Sequence, residues 1–379
     1  MARIFVGMSG GVDSSTAAAL LLRQGHDIVG VTLALLPERG SDSASSREAG
    51  PAEGCCDASG ARRARAVCDM LGIAHYTWNA REAFAADVVR PFAQAYGQGL
   101  TPNPCIDCND RIKFTWMLDR ALAAGADALA TGHYARILES VPDGFRVARA
   151  ADHTKDQSYF LYRCTPDQLA RTRFPLGELT KTEVRALAAE FRLPTAATPE
   201  SQETCFAPDG DYADIVATEC PGALEPGEIV TLSGDVLGKH RGVARYTIGQ
   251  RKGLSLSGGP WFVVRLEPGA RRVVVGKRND LDVSYVIAED VVWSGLEEPV
   301  EALVALRYRM EPVPATVTPR FHAGHGPARA TSSQDADTAT VTALDIELHE
   351  PVAGIAPGQA AVVYAGEVVL GGGVVSEAR

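Results

Sequence analysis

The chain has 379 residues, 46% of them hydrophobic, and a formal net charge of −10. The length suits two or three domains, and the acidic balance argues against a protein that coats nucleic acid indiscriminately. A local basic patch can still bind RNA, because its field acts within a Debye length. No basic segment leads into a long apolar run, and no apolar run approaches ~20 residues, so we expect neither a signal peptide nor a membrane span. We therefore predict a cytoplasmic protein whose eight cysteines are mostly reduced.

Strand-like and helix-like segments alternate through the first third of the chain. Apolar runs, helical periodicity and terminal glycines predict strands at 3–6, 27–34, 73–78 and 126–131, and helices at 14–24 and 61–71. This alternation predicts right-handed crossovers and a Rossmann-like parallel sheet with helices on both faces. Residues 38–54 are rich in serine, alanine, glycine and charge, and are predicted to form a mobile loop.

The sequence pattern changes after Asp211, where the apolar segments become short, rich in β-branched residues and separated by glycines. The predicted strands lie at 228–232, 261–265, 272–275, 286–292, 300–306, 315–319, 339–348 and 359–364. Residues 322–338 are predicted to be a polar hairpin loop. We predict three domains: a nucleotide-binding α/β domain at 1–206, a small central domain at 207–280 and a C-terminal β-barrel at 281–379.

A loop of glycine and serine, G-M-S-G-G-V-D-S-S at positions 7–15, follows the first strand and opens the first helix. Free N–H groups and the positive end of the helix dipole favour a phosphate there, and Gly10 and Gly11 let the backbone approach it. Asp13 would repel a bare phosphate and is better suited to holding Mg²⁺ on it. The motif G-x-x-x-x-G-K-[ST] does not occur, so kinase-like γ-phosphate chemistry is not expected. The alternative is a plain glycine–serine helix cap.

The run S-G-G-V-D-S-S resembles the pyrophosphate loop of the N-type ATP pyrophosphatases, which adenylate a carbonyl oxygen. Two cysteine-bearing runs narrow the choice: T-P-N-P-C-I-D-C-N at 101–109 and S-Q-E-T-C-F at 201–206. With G-H-Y at 132–134, K-D-Q-S-Y-F at 155–160, Y-T-I-G-Q-R-K-G-L at 246–254, L-R-Y-R at 306–309 and A-P-G-Q at 356–359, they resemble the tRNA-specific 2-thiouridylases over nearly the whole chain.

The resemblance implies an ATP- and Mg²⁺-dependent sulfurtransferase that acts on the wobble uridine of tRNA. The uridine is flipped out, its C2 oxygen attacks the α-phosphate of ATP, and sulfur then replaces the oxygen. Cys205 would carry a persulfide received from a cysteine desulfurase or a sulfur relay protein, and Cys108 and Asp13 would complete the catalytic set. The implied ATP-binding residues are Gly7, Met8, Ser9, Gly10, Gly11, Val12, Asp13, Ser14, Leu33 and Gly132. The implied tRNA-binding residues are Asn103, Pro104, Cys105, His133, Lys155, Asp156, Gln157, Arg307, Tyr308 and Gln359. The first three of these lie in the cysteine loop, and the last three lie in the C-terminal domain.

The chain departs from the family pattern at Cys105, where the familiar run has an aspartate. Two states stay open. A [4Fe–4S] cluster could use Cys105, Cys108 and Cys205 as thiolate ligands and leave one iron open, and a soft thiolate recruits such a cluster better than a carboxylate does. Alternatively, Cys108 and Cys205 form a persulfide relay, and Cys105 is a bystander or resolving thiol. A zinc site is disfavoured because no fourth ligand is evident nearby.

The roles of four further residues and two alternative functions are also considered. Cys68 is predicted to be a core residue, Cys164 and Cys220 to be inert, and His133 to be either a structural histidine or an RNA contact. Another carbonyl-adenylating ligase, such as one resembling argininosuccinate synthase, needs no paired cysteines. A non-catalytic module that binds ATP and RNA would produce no AMP or pyrophosphate.

Overall fold

The computed structural model describes residues 1–37, 58–140, 144–199, 204–207, 212–321 and 341–379. The predicted mobile loop and the predicted polar hairpin loop therefore lie outside the described residues. So do residues 55–56, which are cysteines, and residues 201–203 of the second cysteine motif.

The chain folds into two compact units. The first contains Met1–Val89 and Pro104–Asp211, and the second contains Arg90–Asn103 and Tyr212–Arg379. Residues 90–103 fall within the predicted nucleotide-binding domain, yet they pack with the second unit. The predicted domain boundaries themselves stay predictions.

A five-stranded parallel sheet is the centre of the first unit, as predicted. The strands of this unit are β1 (Arg3–Gly7), β2 (Asp27–Ala34), β3 (Ala74–Asn79), β4 (Ala128–Ala130), β5 (Arg136–Ser140), β6 (Gly144–Ala148) and β7 (Thr172–Arg173). Strands β3, β2, β1, β4 and β7 lie side by side in that order and run parallel. Strands β5 and β6 form an antiparallel hairpin that the sequence analysis missed.

Helices cover this sheet because each presents an apolar face. The α-helices among the described residues are α1 (Val12–Arg23), α2 (Ala58–Leu71), α3 (Arg81–Phe84), α4 (Arg90–Gly97), α5 (Pro104–Asp107), α6 (Leu118–Ala123), α7 (Pro166–Ala170), α8 (Lys181–Glu190) and α9 (Ala213–Glu219). Wider π-helical turns occupy Ala85–Val89 and Cys108–Met117. One buried apolar cluster joins β1 and β2 to helices α1, α2 and α8. The first two helices begin two to three residues before their predicted starts at 14 and 61.

The second unit is mostly β-structure. Its strands are β8 (Gly227–Thr231), β9 (Val236–His240), β10 (Phe262–Glu267), β11 (Arg272–Gly276), β12 (Asp282–Trp293), β13 (Val300–Ala305), β14 (Val313–Phe321), β15 (Val341–Ala353), β16 (Ala360–Ala365) and β17 (Val368–Ala378). Strands β10, β11, β8 and β9 form one sheet in that order. Strands β12, β15, β14, β13, β16 and β17 form an antiparallel barrel, which closes where β17 pairs with β12. The predicted barrel is therefore confirmed, although β17 was missed.

Helix α4 belongs to this second unit through aromatic packing. The ring of Tyr212 lies 5.6 Å from that of Phe92 and 4.2 Å from that of Tyr96. These contacts fix α4 against the start of α9. Across the described residues, no helix is both long enough and apolar enough to cross a membrane.

Candidate active site

The glycine–serine loop lies where the sequence predicts it, between the end of β1 and the start of α1. Within the described part of the chain, no side chain caps α1 at its N-cap residue, Gly11. The loop is instead braced by its own hydroxyls: Ser14 Oγ lies 3.2 Å from the backbone nitrogen of Ser9, and Ser15 Oγ donates to the Gly11 carbonyl at 2.8 Å. The first N–H groups of the helix therefore remain a site suited to an anion.

Two glycines of this region are required by close backbone approaches. Gly10 has φ of +78°, and a Cβ there would lie 2.1 Å from the carbonyl oxygen of Gly60 in α2. A Cβ on Gly132, just after β4, would lie 2.7 Å from the Ser14 nitrogen. The segments that follow the adjacent parallel strands β1 and β4 are thus in direct contact. Ligands of open α/β sheets bind at such a point, outside the carboxyl ends of neighbouring strands where the strand order reverses.

Met8 and Leu33, both implied in ATP binding, have different surroundings. The Met8 side chain is 2% exposed and packs in the core, while its backbone nitrogen donates to Val31 O at 2.7 Å. The Met8 carbonyl accepts from Thr32 Oγ1 at 2.8 Å, so both backbone polar groups of Met8 are already hydrogen-bonded. Leu33 is half-buried near the carboxyl end of β2, which is where an apolar side chain could meet an adenine ring.

The carboxylate of Asp13 is engaged by two partners that the sequence analysis missed. Lys181 Nζ donates to both of its oxygens, at 2.7 and 2.8 Å. The hydroxyl of Tyr134 donates to Asp13 Oδ1 at 2.7 Å. A third side chain, Arg63, donates from Nε to the Gly10 carbonyl at 3.1 Å and steadies the loop from α2. The predicted Mg²⁺ ligand is thus held in place by an ammonium and a phenol.

The cysteine loop leads into one continuous helical segment. Pro104 opens α5, where its missing N–H costs nothing, and the chain continues directly into the π-helix Cys108–Met117. Cys105 is exposed and Cys108, one turn later, is half-buried. Asn109 anchors the helix: its Nδ2 donates to the Phe160 carbonyl at 3.3 Å and its Oδ1 accepts from Lys113 Nζ at 2.9 Å. Two of the motifs that carry the family resemblance are therefore packed together.

Cys108 and Cys205 pack against the same group of buried apolar side chains, here called the thiol cluster. The thiol cluster consists of Leu35, Ala80, Phe84, Val88 and Ile112. Both cysteines are half-buried against it. The ring of Phe206 fixes the Cys205 segment by an edge-to-face contact with Phe84, at 5.9 Å between centroids. Two thiols far apart in the sequence are thus brought to one place.

Cys105 is not a member of that group. Among the described residues, no three His, Cys, Asp or Glu side chains are grouped so that they could hold a metal ion. All three cysteines of the cluster hypothesis belong to the described residues. As placed, they do not form the ligand set that a [4Fe–4S] cluster with three thiolates requires.

Two of the cysteines outside the proposed relay, Cys68 and Cys164, are buried. Cys68 is fully buried in the core, and burial, with a smaller contribution from Asp69, raises the pKa of its thiol to about 11. Burial, with Asp110 adding to it, also raises the pKa of Cys164. Neither thiol supplies a thiolate near neutral pH. Cys220 is half-buried in the second unit.

His133 has the surroundings of a structural histidine. It is 8% exposed, its Nδ1 lies 2.7 Å from Thr131 Oγ1, and its ring lies 5.7 Å from the rings of Phe114 and Phe174. Burial, with Lys113 adding to it, lowers the pKa of His133 well below its ordinary value. This environment favours the structural alternative over a direct RNA contact.

The K-D-Q segment is organised by internal hydrogen bonds. Asp156 accepts from the Ala150 nitrogen at 2.9 Å and from Ser158 Oγ at 2.7 Å, and its carboxylate is mostly buried. Gln157 Oε1 accepts from the Tyr134 nitrogen at 2.9 Å. Lys155 is half-exposed. Asp156 and Gln157 thus shape the loop, and Lys155 has the exposure needed to reach a phosphate.

The residues implied for tRNA binding in the second unit also include exposed side chains and side chains with internal hydrogen bonds. Arg307 is exposed just after β13, next to the half-buried Tyr308, and the guanidinium of Arg309 lies 5.3 Å from the Tyr308 ring. Gln359 instead donates from Nε2 to the carbonyl of Thr101, beside a bond from the Thr101 nitrogen to Pro357 O at 2.8 Å. Gln359 therefore makes an internal contact, and Asn103 follows in the same segment, half-buried.

The parallel sheet and the loop at the start of α1 define an α/β protein of the Rossmann-like, nucleotide-binding class. Models of three known domain families match successive parts of the chain. The model of a tRNA methyl transferase HUP domain matches residues 2–209, that of a tRNA methyl transferase PRC-barrel domain matches 215–277, and that of an aminomethyltransferase beta-barrel domain matches 283–375.

Full-length relatives give the particular family. A protein named tRNA-specific 2-thiouridylase MnmA from Paramagnetospirillum magneticum is 47% identical over 381 residues, covering 100% of this chain and 96% of the relative. Proteins of the same name from Rhizorhabdus wittichii and Chloroflexus aurantiacus are 46% and 44% identical, and each alignment covers 98% of this chain; the covered shares of the relatives are 91% and 98%. The chain belongs to the tRNA-specific 2-thiouridylase family.

Proposed function

We propose that this protein is a tRNA-uridine 2-sulfurtransferase that uses ATP to activate the C2 oxygen of the wobble uridine. The observation that carries the proposal is the placement of Cys108 and Cys205 against one cluster in the unit that holds the phosphate loop. The thiol cluster includes Leu35, just past β2, and Ala80, just past β3. The sulfur-bearing residues and the phosphate loop therefore share the carboxyl edge of one parallel sheet.

The ATP half of the reaction is supported by the loop and by Asp13. Backbone N–H groups at the start of α1 bind the phosphates, and Gly132 and Leu33 border the nucleoside. The Asp13 carboxylate and the hydroxyls of Ser9 and Ser14 are hard oxygen donors of the kind that Mg²⁺ prefers. When bound, Mg²⁺ would neutralise phosphate charge. The uridine C2 oxygen attacks the α-phosphorus, the α–β bond breaks and pyrophosphate leaves.

The sulfur half is supported by the two thiols. Cys205 carries a persulfide whose terminal sulfur comes from a partner that delivers persulfide sulfur, such as a cysteine desulfurase or a relay protein. In one route this sulfur attacks C2 and AMP leaves, after which the Cys108 thiolate attacks Cys205 Sγ and frees the thiouridine. In the other route Cys108 attacks first and releases sulfide, which then attacks C2. Either route leaves a Cys108–Cys205 disulfide, and an external dithiol must reduce it before the next turnover.

The position of Cys105 supports the relay rather than the iron–sulfur alternative. Its side chain is exposed, whereas the two relay cysteines are half-buried against the thiol cluster. Because the three thiols do not form a ligand set, no step is assigned to a cluster. With Asn103 and Pro104, Cys105 is proposed to border the flipped uridine.

The RNA is proposed to be held mainly through phosphates. Of the residues that the resemblance implies for tRNA binding, Arg307 on the barrel is an exposed cation and Lys155 in the first unit is a half-exposed one. Such contacts give an affinity that falls steeply with salt. The compartment we propose is the cytoplasm, whose reducing poise keeps the relay thiols available.

The test is a defined reaction with the full chain, unmodified tRNA, Mg-ATP and a persulfide donor, followed by mass spectrometry of the tRNA nucleosides. We expect 2-thiouridine, AMP and pyrophosphate together. Cys205→Ser should abolish the thiouridine, and Cys164→Ser is the matched control because Cys164 is a buried cysteine that is not part of the thiol cluster. Release of ADP and phosphate instead of AMP would overturn the proposal.

A further inference from the structure

A short chain of hydrogen bonds runs from β3 through β2 to the phosphate loop, Gly7–Ser15. Its middle member is Thr32 in β2, which is 3% exposed and donates from Oγ1 to the Met8 carbonyl at 2.8 Å. The same Oγ1 lies 2.9 Å from Nε2 of His75 in β3. A side chain on the first strand of the sheet order thus reaches, through one hydroxyl, the residue at which β1 passes into the loop.

The direction of these two bonds follows from the number of protons. A threonine hydroxyl has a single proton, and the Met8 carbonyl can only accept, so that proton belongs to the bond from Thr32 to Met8. His75 Nε2 must therefore donate to Thr32 Oγ1. Burial lowers the pKa of His75 below its ordinary value, Arg65 lowers it further, and Asp69 opposes the shift. The ring is therefore neutral near neutral pH and carries its one proton on Nε2.

Packing also fixes the imidazole ring of His75, which is half-buried. Gly30 is the partner of His75 in the parallel register of β2 and β3. A Cβ on Gly30 would lie 3.3 Å from His75 Cδ2 and 2.5 Å from Cys68 Sγ in α2. The ring therefore lies in a slot that a side chain at position 30 would close.

The other end of the chain is one peptide group of the loop. The Met8 nitrogen donates to Val31 O at 2.7 Å and its carbonyl accepts from Thr32, so the Met8 backbone is held on both sides. The Met8 carbonyl and the Ser9 N–H belong to one planar trans peptide and point in opposite directions. The Ser9 N–H accordingly points into the loop, where Ser14 Oγ lies 3.2 Å away. The bond from Thr32 thus sets the direction of an N–H in the phosphate loop.

We infer that His75 is a positioning residue for the phosphate loop and acts through Thr32. By donating to Thr32 Oγ1, His75 holds the hydroxyl in the orientation that keeps the Ser9 N–H turned toward a bound phosphate. An N–H that is already oriented stabilises phosphate charge without having to reorganise on binding. The inference rests on the proposed use of ATP and adds two residues that lie outside the loop sequence.

Nitrogen NMR of the full chain with isotopically labelled histidine tests the direction of the bond. The spectrum is recorded at a pH above about 8, where imidazole is neutral, and the His75 signals are assigned by their loss in His75→Gln. We expect a protonated Nε2 and an unprotonated Nδ1. A proton on Nδ1 instead would make Nε2 the acceptor, take the Thr32 proton away from Met8 and overturn the inference.

Titration calorimetry with inorganic pyrophosphate and with ATP tests the effect on the loop. Thr32→Val removes the hydroxyl and should weaken both ligands about tenfold, which is the weight of one hydrogen bond to a charged group. His75→Phe keeps a ring without the donor and should weaken them at least about threefold, whereas His75→Gln keeps an N–H donor and should recover most of the affinity. The double variant with Val and Phe should bind no worse than Thr32→Val, because both changes act through one chain of bonds.

Thr172→Val is the matched control. Thr172 is 1% exposed and its Oγ1 donates to the Gln168 carbonyl at 2.7 Å, so this change also removes a buried bond from a hydroxyl to a carbonyl. It should lower the free energy of unfolding as Thr32→Val does, but leave both affinities within about twofold of the parent values.

Stability and affinity together decide the outcome. If Thr32→Val and His75→Phe lose stability but bind both ligands like the parent in the folded fraction, the pair has a structural role alone and the inference is overturned. Should Thr32→Val not fold, the His75 variants and the position of the proton in the parent still decide. A parent that binds neither pyrophosphate nor ATP would instead refute the proposed function.

Discussion

The loop glycine with positive φ offers a sharp test of the site geometry. Alanine at position 10 must adopt φ near +78°, which costs about 1–2 kcal/mol for a residue with a Cβ. Its Cβ would also lie 2.1 Å from Gly60 O, a backbone atom that cannot rotate away. Overpacking of this kind costs about 1–3 kcal/mol. We therefore expect Gly10→Ala to lower the free energy of unfolding by roughly 2–5 kcal/mol in total.

The neighbouring glycine is the matched control. Gly11 has φ of −91°, and its added Cβ would approach only the Ser9 hydroxyl, at 3.4 Å. The free energy of unfolding of Gly11→Ala should therefore lie within about 1 kcal/mol of the parent value. Its ATP affinity can still fall, because the new methyl group points into the loop that receives phosphate. The two variants separate loss of loop geometry from loss of ligand space.

Urea denaturation and titration with an uncleavable ATP analogue measure these two quantities. Relief of the overlap in Gly10→Ala requires a displacement of about 1 Å, and a displacement of that size can cost about a hundredfold in a positioned site. We expect ATP affinity to fall by at least tenfold in the folded fraction. Equal unfolding free energies for Gly10→Ala and Gly11→Ala would refute the close approach of the loop to α2.

Three further predictions follow from the described contacts. Cys108→Ser and Cys205→Ser should each abolish 2-thiouridine formation, because serine is a far weaker nucleophile, while Cys164→Ser should retain it by nucleoside mass spectrometry. Arg307→Ala should weaken tRNA binding and reduce its salt slope by about one phosphate contact, with ATP affinity unchanged; loss of ATP binding alone would contradict its assignment. Because burial lowers the pKa of His133, the unfolded chain binds a proton that the folded chain does not once the pH falls below about 6.5. The free energy of unfolding measured in urea should therefore fall as the pH drops below that value, and it should fall less in His133→Gln than in the parent. Parallel pH dependences for the two proteins would contradict the burial of His133.

Much of the fold was predictable because its signals are local. The second strand was predicted at its observed bounds, 27–34, since a buried apolar run flanked by turn residues needs no tertiary information. Strand β17 was missed because its centre reads Gly-Gly-Gly, and glycine is depleted in strands. Only closure of the barrel, through pairing with β12 and β16, makes that run a strand.

The site was predictable only in part, for a related reason. The position of the loop follows from the strand–loop–helix pattern, whereas the approach of Gly10 to Gly60 in α2 does not. The partners of Asp13 do not, because Lys181 lies 168 residues away and its own surroundings indicate only a helix start. Asp156 was interpreted as an RNA contact, yet its carboxylate accepts bonds from its own loop. A polar residue in a motif can be required for either reason, and only contacts distinguish them.

The sheet topology explains how one edge can carry two chemistries. Strands β1 and β4 are adjacent, so the phosphate loop and Gly132 meet between them. Strands β2 and β3 lie on the other side of β1, and the thiol cluster is built where they end. The π-helix joins the two places: it begins at Cys108, and its last residue, Met117, approaches Gly7, whose added Cβ would be 3.0 Å from Met117 Cε. Nine residue steps of helix span at most roughly 15 Å. In the proposed reaction, one uridine can therefore meet the nucleotide from the β4 side and the persulfide sulfur from the β2 side.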